Sequence, residues 1–236
     1  MKRQLRHVLR NFGYDLVGFN LYKGKPNPER PWEEDDAFLR LCDRVSSHTL
    51  LDRRRLHLLY QFARNAARIG GNYAECGVYR GGTALLLALT KPAERKLFLF
   101  DTFEGMPEAD AERDHHVAGD LGGTSLEQVQ QLLTGHENVL LRKGFFPETA
   151  KGLEEERFAF VHCDMDIYRS VLACCAFFYP RLRNGGTLLF DDFGFRSCPG
   201  AKKAVLEFCE ASDASFIYLP TGQALIIRVP SSTHDF

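Results

Sequence analysis

Four carboxylates stand at the ends of two apolar runs in the second half of the chain. Asp164 and Asp166 follow Phe158-Ala159-Phe160-Val161 in the stretch HCDMDIYRS, and Asp191-Asp192 close GGTLLFDD. If the two runs are neighbouring strands, the acids converge on one small volume, which their mutual repulsion forbids unless protons or a cation intervene. Oxygen-only ligands favour a hard divalent ion, Mg2+ first and Ca2+ or Mn2+ next. Helix capping is the plainer alternative, with Asp191 and Asp192 ahead of a helix starting near Gly200 and Asp166 ahead of one at Ser170. It accounts for some of these acids but not all of them.

A second group lies earlier, in AECGVYRGGTA. A strand ends near Glu75, and Gly77, Gly81 and Gly82 let the backbone approach a ligand closely before a helix begins. The spacing G-x-x-x-G-G departs from the dinucleotide fingerprint, and Glu75 would set an anion beside a pyrophosphate, so a cationic ligand fits better. Asp101 ends KLFLFD, 26 residues after Glu75, where an acid can accept the hydroxyls of a ribose. S-adenosylmethionine, with its ribose, α-amino group and sulfonium, meets that description. Solvated strand ends are the alternative for either acid taken alone.

The elements that would position these residues follow from the pattern. YAECGV, KLFLFD, NVLLRKG, FAFVHCD and TLLFDD are short apolar runs that alternate with helix-like segments, which argues a parallel sheet covered on both faces. The expected class is doubly wound α/β. SFIYLP and QALIIRV, separated by Thr221-Gly222, read as a terminal hairpin that adds antiparallel strands. Residues 1–50, basic at first and then Pro- and Gly-punctuated, read as a helical and loop appendage, suited to a lid or a homo-oligomer contact. Residues 51–236 read as one domain, entered by the helical pattern LDRRRLHLLYQFARNAARI. The basic run Arg53-Arg54-Arg55 and the acidic LEEERF are expected to be solvated helix faces.

Composition narrows the partners. The 236 residues are 44% hydrophobic and 26% charged with a formal net charge of -1, so no broad basic field points to nucleic acid or a membrane surface, and a small molecule is the expected partner. No apolar run reaches the roughly 20 residues of a membrane span and no signal-peptide pattern opens the chain, so a cytoplasmic location is expected. Seven cysteines at scattered spacings suggest buried thiols, not a disulfide framework or a CxxC zinc site.

Taken together and in this order, AECGVYRGGTA, LFLFDTFEGMPE, HCDMDIYRS and NGGTLLFDDFG resemble the macrocin O-methyltransferase (TylF/MycF) family of class I, metal-dependent methyltransferases, over about residues 51–229. The resemblance implies a seven-stranded Rossmann-like sheet ending in an antiparallel hairpin. It also implies Mg2+ held by Asp164, Asp191 and Asp192, with Asp164 as a candidate general base. The donor site would be lined by Glu75, Gly77, Tyr79, Gly81, Thr83, Asp101, Thr102 and Ser125. The reaction implied is methylation of a hydroxyl on a small acceptor such as a sugar or a vicinal diol of the catechol type. His162, His115 and His116 are alternative bases, although a histidine inside an apolar strand is more often a satisfied core residue. Tyr168, Arg169 and Arg196 lie just beyond the acids and could touch the acceptor or form surface ion pairs.

Two rival readings remain at this level. A haloacid-dehalogenase-type phosphatase also places D-x-D and D-D after apolar strands, but leaves Glu75 and the glycine loop unexplained. A non-catalytic protein that binds S-adenosylmethionine would have no need of the acids.

Overall fold

The computed structural model describes residues 27–230. Seven strands form one sheet in the order β3-β2-β1-β4-β5-β7-β6: β1 Asn72–Cys76, β2 Leu97–Asp101, β3 Val139–Lys143, β4 Phe158–Cys163, β5 Leu182–Phe190, β6 Phe216–Tyr218 and β7 Ala224–Ile227. The first five are parallel, whereas β7 runs antiparallel to β5 and β6 antiparallel to β7. The expected doubly wound sheet and its terminal hairpin are both present. Among the described residues six α-helices surround it: α1 Asp36–Val45, α2 Arg53–Ala66, α3 Gly82–Thr90, α4 Leu126–Leu132, α5 Tyr168–Phe178 and α6 Pro199–Ser212. Among the described residues no helix is long and apolar enough to cross a membrane.

Successive strand residues point to opposite faces, and both faces are apolar here. Tyr73, Leu97, Leu99 and Phe160 pack with Phe38, Leu59 and Leu86 of α1, α2 and α3. Ala74, Phe98, Phe158 and Val161 pack with Phe178 and Val205 of α5 and α6. On the second face the ring of Phe178 meets Phe100, Phe146, Phe158 and Phe177 at centroid distances of 4.9–6.0 Å, and burying such a ring contributes about 1.5–3 kcal/mol. The sheet is thereby fixed, so the carboxyl ends of its strands are a rigid platform.

The described part of the expected N-terminal appendage packs directly on this body. Trp32, Phe38, Leu41 and Val45 share a core cluster with the sheet; residues 1–26 of the appendage lie outside the described residues. The turn after α1 crosses closely over the start of α3, since a Cβ on Gly82 would lie 2.7 Å from the His48 carbonyl carbon. Asp52 then caps α2, accepting from the amides of Arg54 at 2.8 Å and Arg55 at 3.1 Å. The cap starts α2 beside the strand ends, with Arg55 in its first turn.

Gly77 is the tightest point between the first strand and the acids. Its φ is +85°, and an added Cβ would fall 1.7 Å from the backbone oxygen of Asp164. Gly77→Ala is therefore expected to lower unfolding free energy by more than about 2 kcal/mol, through strain and collision together. A fall in the urea midpoint at unchanged m-value is the measurement that checks it.

Candidate active site

The strand order brings β1, β4 and β5 side by side, and the ladder continues past their ends. The Asp164 amide donates to the Cys76 carbonyl and the Asp191 amide to the Cys163 carbonyl, both at 2.9 Å. One oxygen from each of Asp164, Asp191 and Asp192 lies within 4.8 Å of the others. Neither acid pair caps a helix: the N-cap positions of α5 and α6 are Ile167 and Cys198, with no side-chain cap on either. The convergence anticipated from the sequence is thus a feature of the fold.

The three carboxylates differ in their surroundings. Burial pushes Asp164 well above the usual carboxylate range, and the Asp191 charge adds to it. Burial also raises Asp192 strongly, reinforced by Asp166, Asp164 and Asp191. Burial would raise Asp191 too, but His162, Arg55 and Gln223 outweigh it and hold that carboxyl below its ordinary value. Arg55 forms a short ion pair with Asp191 Oδ2, and Gln223, wholly buried, donates to Oδ1 at 2.9 Å. Asp164 and Asp192, by contrast, line an adjoining cavity.

His162 and Glu75 lie behind this wall. Their strands are in register, and His162 Nδ1 sits 2.8 Å from Glu75 Oε1. On the other side His162 Nε2 is 4.0 Å from Asp191 Oδ1, an ion-pair separation too long for a hydrogen bond. Burial acts to lower the imidazole pKa, but the acids on both sides win and push it up to about 10. With no exposed surface and no place in the lining of the adjoining cavity, His162 is placed for charge compensation between two acids and not for contact with an acceptor hydroxyl. Glu75, which the sequence suggested for the donor's cationic end, is fully buried against it. Its Oε2 and His162 Nε2 have no hydrogen-bond partner.

The cavity encloses about 340 Å3. Of the residues expected at the donor, Gly77, Tyr79, Thr83, Asp101 and Thr102 line it. Asp101 organises that wall: Oδ2 accepts from the amides of Val78 at 2.7 Å and Tyr79 at 2.9 Å, and Oδ1 from Phe103 at 2.6 Å. Most of its acceptor capacity therefore goes to shaping the loop, a use the sequence did not disclose. Gly81 packs against Leu132 and Val129. Ser125 caps α4, accepting from Gln128 at 3.3 Å, while its neighbour Thr124 lines the cavity and donates to the Tyr79 carbonyl.

Other wall residues carried no signal in the sequence. Leu50, Leu51 and Arg55 enter from the segment before β1, and Phe195 and Cys198 from the loop before α6. The solvated face expected for Arg53-Arg54-Arg55 needs correction at Arg55: its side chain is 15% exposed against 62% for Arg54. The guanidinium faces Asp191 and lies 4.9 Å from the Phe195 ring. Tyr168 takes the surface role, bonding Glu207 beneath the Arg113 guanidinium.

With a glycine loop, a wall pinned by Asp101 and convergent carboxylates around one cavity, comparison with known proteins becomes decisive. The Macrocin-O-methyltransferase (TylF) family model matches residues 30–215. The chain belongs to the macrocin O-methyltransferase family. It is an S-adenosylmethionine-dependent O-methyltransferase. The chain is 30% identical to the mycinamicin III 3''-O-methyltransferase of Micromonospora griseorubida, across 69% of this chain and 70% of that one. It is 29% identical to the 8-demethyl-8-(2,3-dimethoxy-alpha-L-rhamnosyl)-tetracenomycin-C 4'-O-methyltransferase of Streptomyces olivaceus, across 71% and 72%. Among solved structures the O-methyltransferase NovP superposes with a TM-score of 0.66 at 22% identity, covering 78% of this chain and 83% of that one, which is agreement in fold. The phosphatase and non-catalytic readings fall away.

Proposed function

We propose that this methyltransferase acts on a hydroxyl of a sugar carried by a small natural product, with Mg2+ held by Asp164, Asp191 and Asp192. The observation that supports it most is the convergence of those acids beside the cavity that the Asp101-pinned loop lines. The name of one relative, a 4'-O-methyltransferase of a rhamnosyl-tetracenomycin, supports the acceptor class. The donor set fits the ion: three carboxylates offer only hard oxygen ligands, and the raised proton affinity of Asp164 and Asp192 marks a site short of positive charge. Arg55 supplies part of that charge through its ion pair with Asp191, and a cation held by the three acids would share Asp191 with it.

When bound, a divalent ion supplies Lewis-acid chemistry that lowers the pKa of the acceptor hydroxyl. The chain's own groups do the rest. Asp164 Oδ accepts the hydroxyl proton. Asp101 and the glycine loop hold the donor wall, and Phe195, Leu51 and Met106 exclude water from the cavity. We assign the methyltransferase domain to residues 51–236, with the preceding segment closing one wall. Seven unpaired, buried cysteines support a cytoplasmic home.

The test is transfer of a labelled methyl group to a panel of deoxysugar glycosides and catechols, with chelator and then with Mg2+ restored. Product on a sugar hydroxyl, lost with chelator and regained with Mg2+, is the expected result. Transfer to catechols alone would overturn the acceptor class, and transfer indifferent to chelator would overturn the metal.

A further inference from the structure

The cavity wall carries a second convergence of ligand-type side chains, distinct in chemistry from the first: His116, Asp166 and Cys198. His116 comes from the loop after β2, Asp166 from the turn after β4, and Cys198 from the position before α6. Cys198 Sγ lies 3.3 Å from Asp166 Oδ1 and 3.7 Å from His116 Nε2, and His116 Nε2 lies 3.7 Å from Asp166 Oδ1. A tetrahedral zinc ion with bonds of about 2.0–2.3 Å sets its sulfur, nitrogen and oxygen ligands about 3.3–3.6 Å apart. The three atoms already stand close to the corners of such a tetrahedron.

The shell behind them is that of a ligand set. His116 Nδ1 is 3.1 Å from Asp120 Oδ2, and Asp120 is itself held by the Val117 amide at 3.1 Å. A proton on Nδ1 shared with that carboxylate leaves the Nε2 lone pair facing Asp166 and Cys198, the arrangement that orients zinc-binding histidines. Asp166 is fixed by its own amide, which donates to Asp192 Oδ2 at 3.0 Å. Cys198 has one further polar side-chain neighbour, Ser197 Oγ at 3.4 Å. Thiolate, imidazole and carboxylate form a borderline-soft set that prefers Zn2+ to Mg2+.

We propose that His116, Asp166 and Cys198 form a Zn2+ site whose fourth position opens on the cavity, separate from the all-oxygen set of Asp164, Asp191 and Asp192. On binding, the Cys198 thiol releases its proton to solvent and its sulfur bonds the metal. The open position takes an oxygen or nitrogen donor, from water or from a molecule in the cavity. The site stands on its own geometry, so it survives or fails independently of the acceptor class.

Chelator-stripped, full-length protein titrated with Co2+ under excess Mg2+ provides the test. The expected result is one equivalent that produces a thiolate-to-cobalt charge-transfer band, discharged by Zn2+ and untouched by more Mg2+. Cys198→Ser abolishes the band, whereas Asp164→Asn keeps it. Asp120→Asn, a positioning change, weakens Co2+ binding by about 10–100-fold with the band retained. His116→Ala, at a loop residue, serves as the second ligand variant should Cys198→Ser fail to fold, and is expected to lose tight binding. No band in the wild type would mean that the three groups are only a hydrogen-bonded trio, and a band that survives Cys198→Ser would assign the thiolate elsewhere. Either overturns the site.

Discussion

Asp164→Asn leaves S-adenosylhomocysteine affinity within about twofold of wild type while methyl transfer falls by about 10³, the scale of a lost proton acceptor. Asp164 lines the cavity, and burial together with the Asp191 charge raises its affinity for a proton. The amide is nearly the same size but cannot take the proton and ligates a hard cation poorly. Nothing on the proposed donor wall depends on the Asp164 side chain: the loop there hangs on Asp101. Calorimetry with S-adenosylhomocysteine and single-turnover transfer separate the two effects. Equal losses in both would mean that Asp164 serves the donor and not the chemistry.

Asp101→Ala has the opposite signature. Three backbone amides lose a charged acceptor at once, and hydrogen bonds of that kind contribute about 1.5–3 kcal/mol each. The turns at Val78-Tyr79 and at Phe103 are then no longer pre-organised, and donor affinity is expected to fall at least about 100-fold. At saturating donor the transfer rate should stay within about tenfold, because the carboxylate triad is untouched. Asp101→Asn, which keeps one accepting oxygen, should fall between. Unchanged S-adenosylhomocysteine affinity in Asp101→Ala would remove Asp101 from the donor wall.

These two residues were legible in the sequence because Asp101 is the last position of β2 and Asp164 directly follows the last position of β4, where alternation and burial leave little choice of location. The sheet itself was legible for the same reason. What each acid touches was not. Asp101 was expected to meet a ribose, and the structure shows it first serving amides 22 and 23 residues back in the chain. Glu75 and His162 look like unrelated polar interruptions until strand register pairs them. Arg55 sits in a run of three arginines that a helical wheel assigns to solvent. Only the Asp52 cap and the neighbouring strand ends, 136 residues away at Asp191, turn it inward. Local pattern encodes which face a residue occupies, whereas the partner across a parallel crossover depends on strand order.

Asp191 draws its neutral donor from Gln223, just ahead of the last strand, and its cation from Arg55, ahead of the first. The five parallel strands between them could condense on their own, yet the acid would then lie buried with an oxygen unanswered until β7 docked. Gln223 stands 32 residues beyond Asp191 in the chain and after α6, so its amide reaches the acid only once the last strand has been made. Catalytic competence is thus tied to the final stage of assembly, and a chain that has emerged only as far as α6 carries the shape of the enzyme without its charge balance.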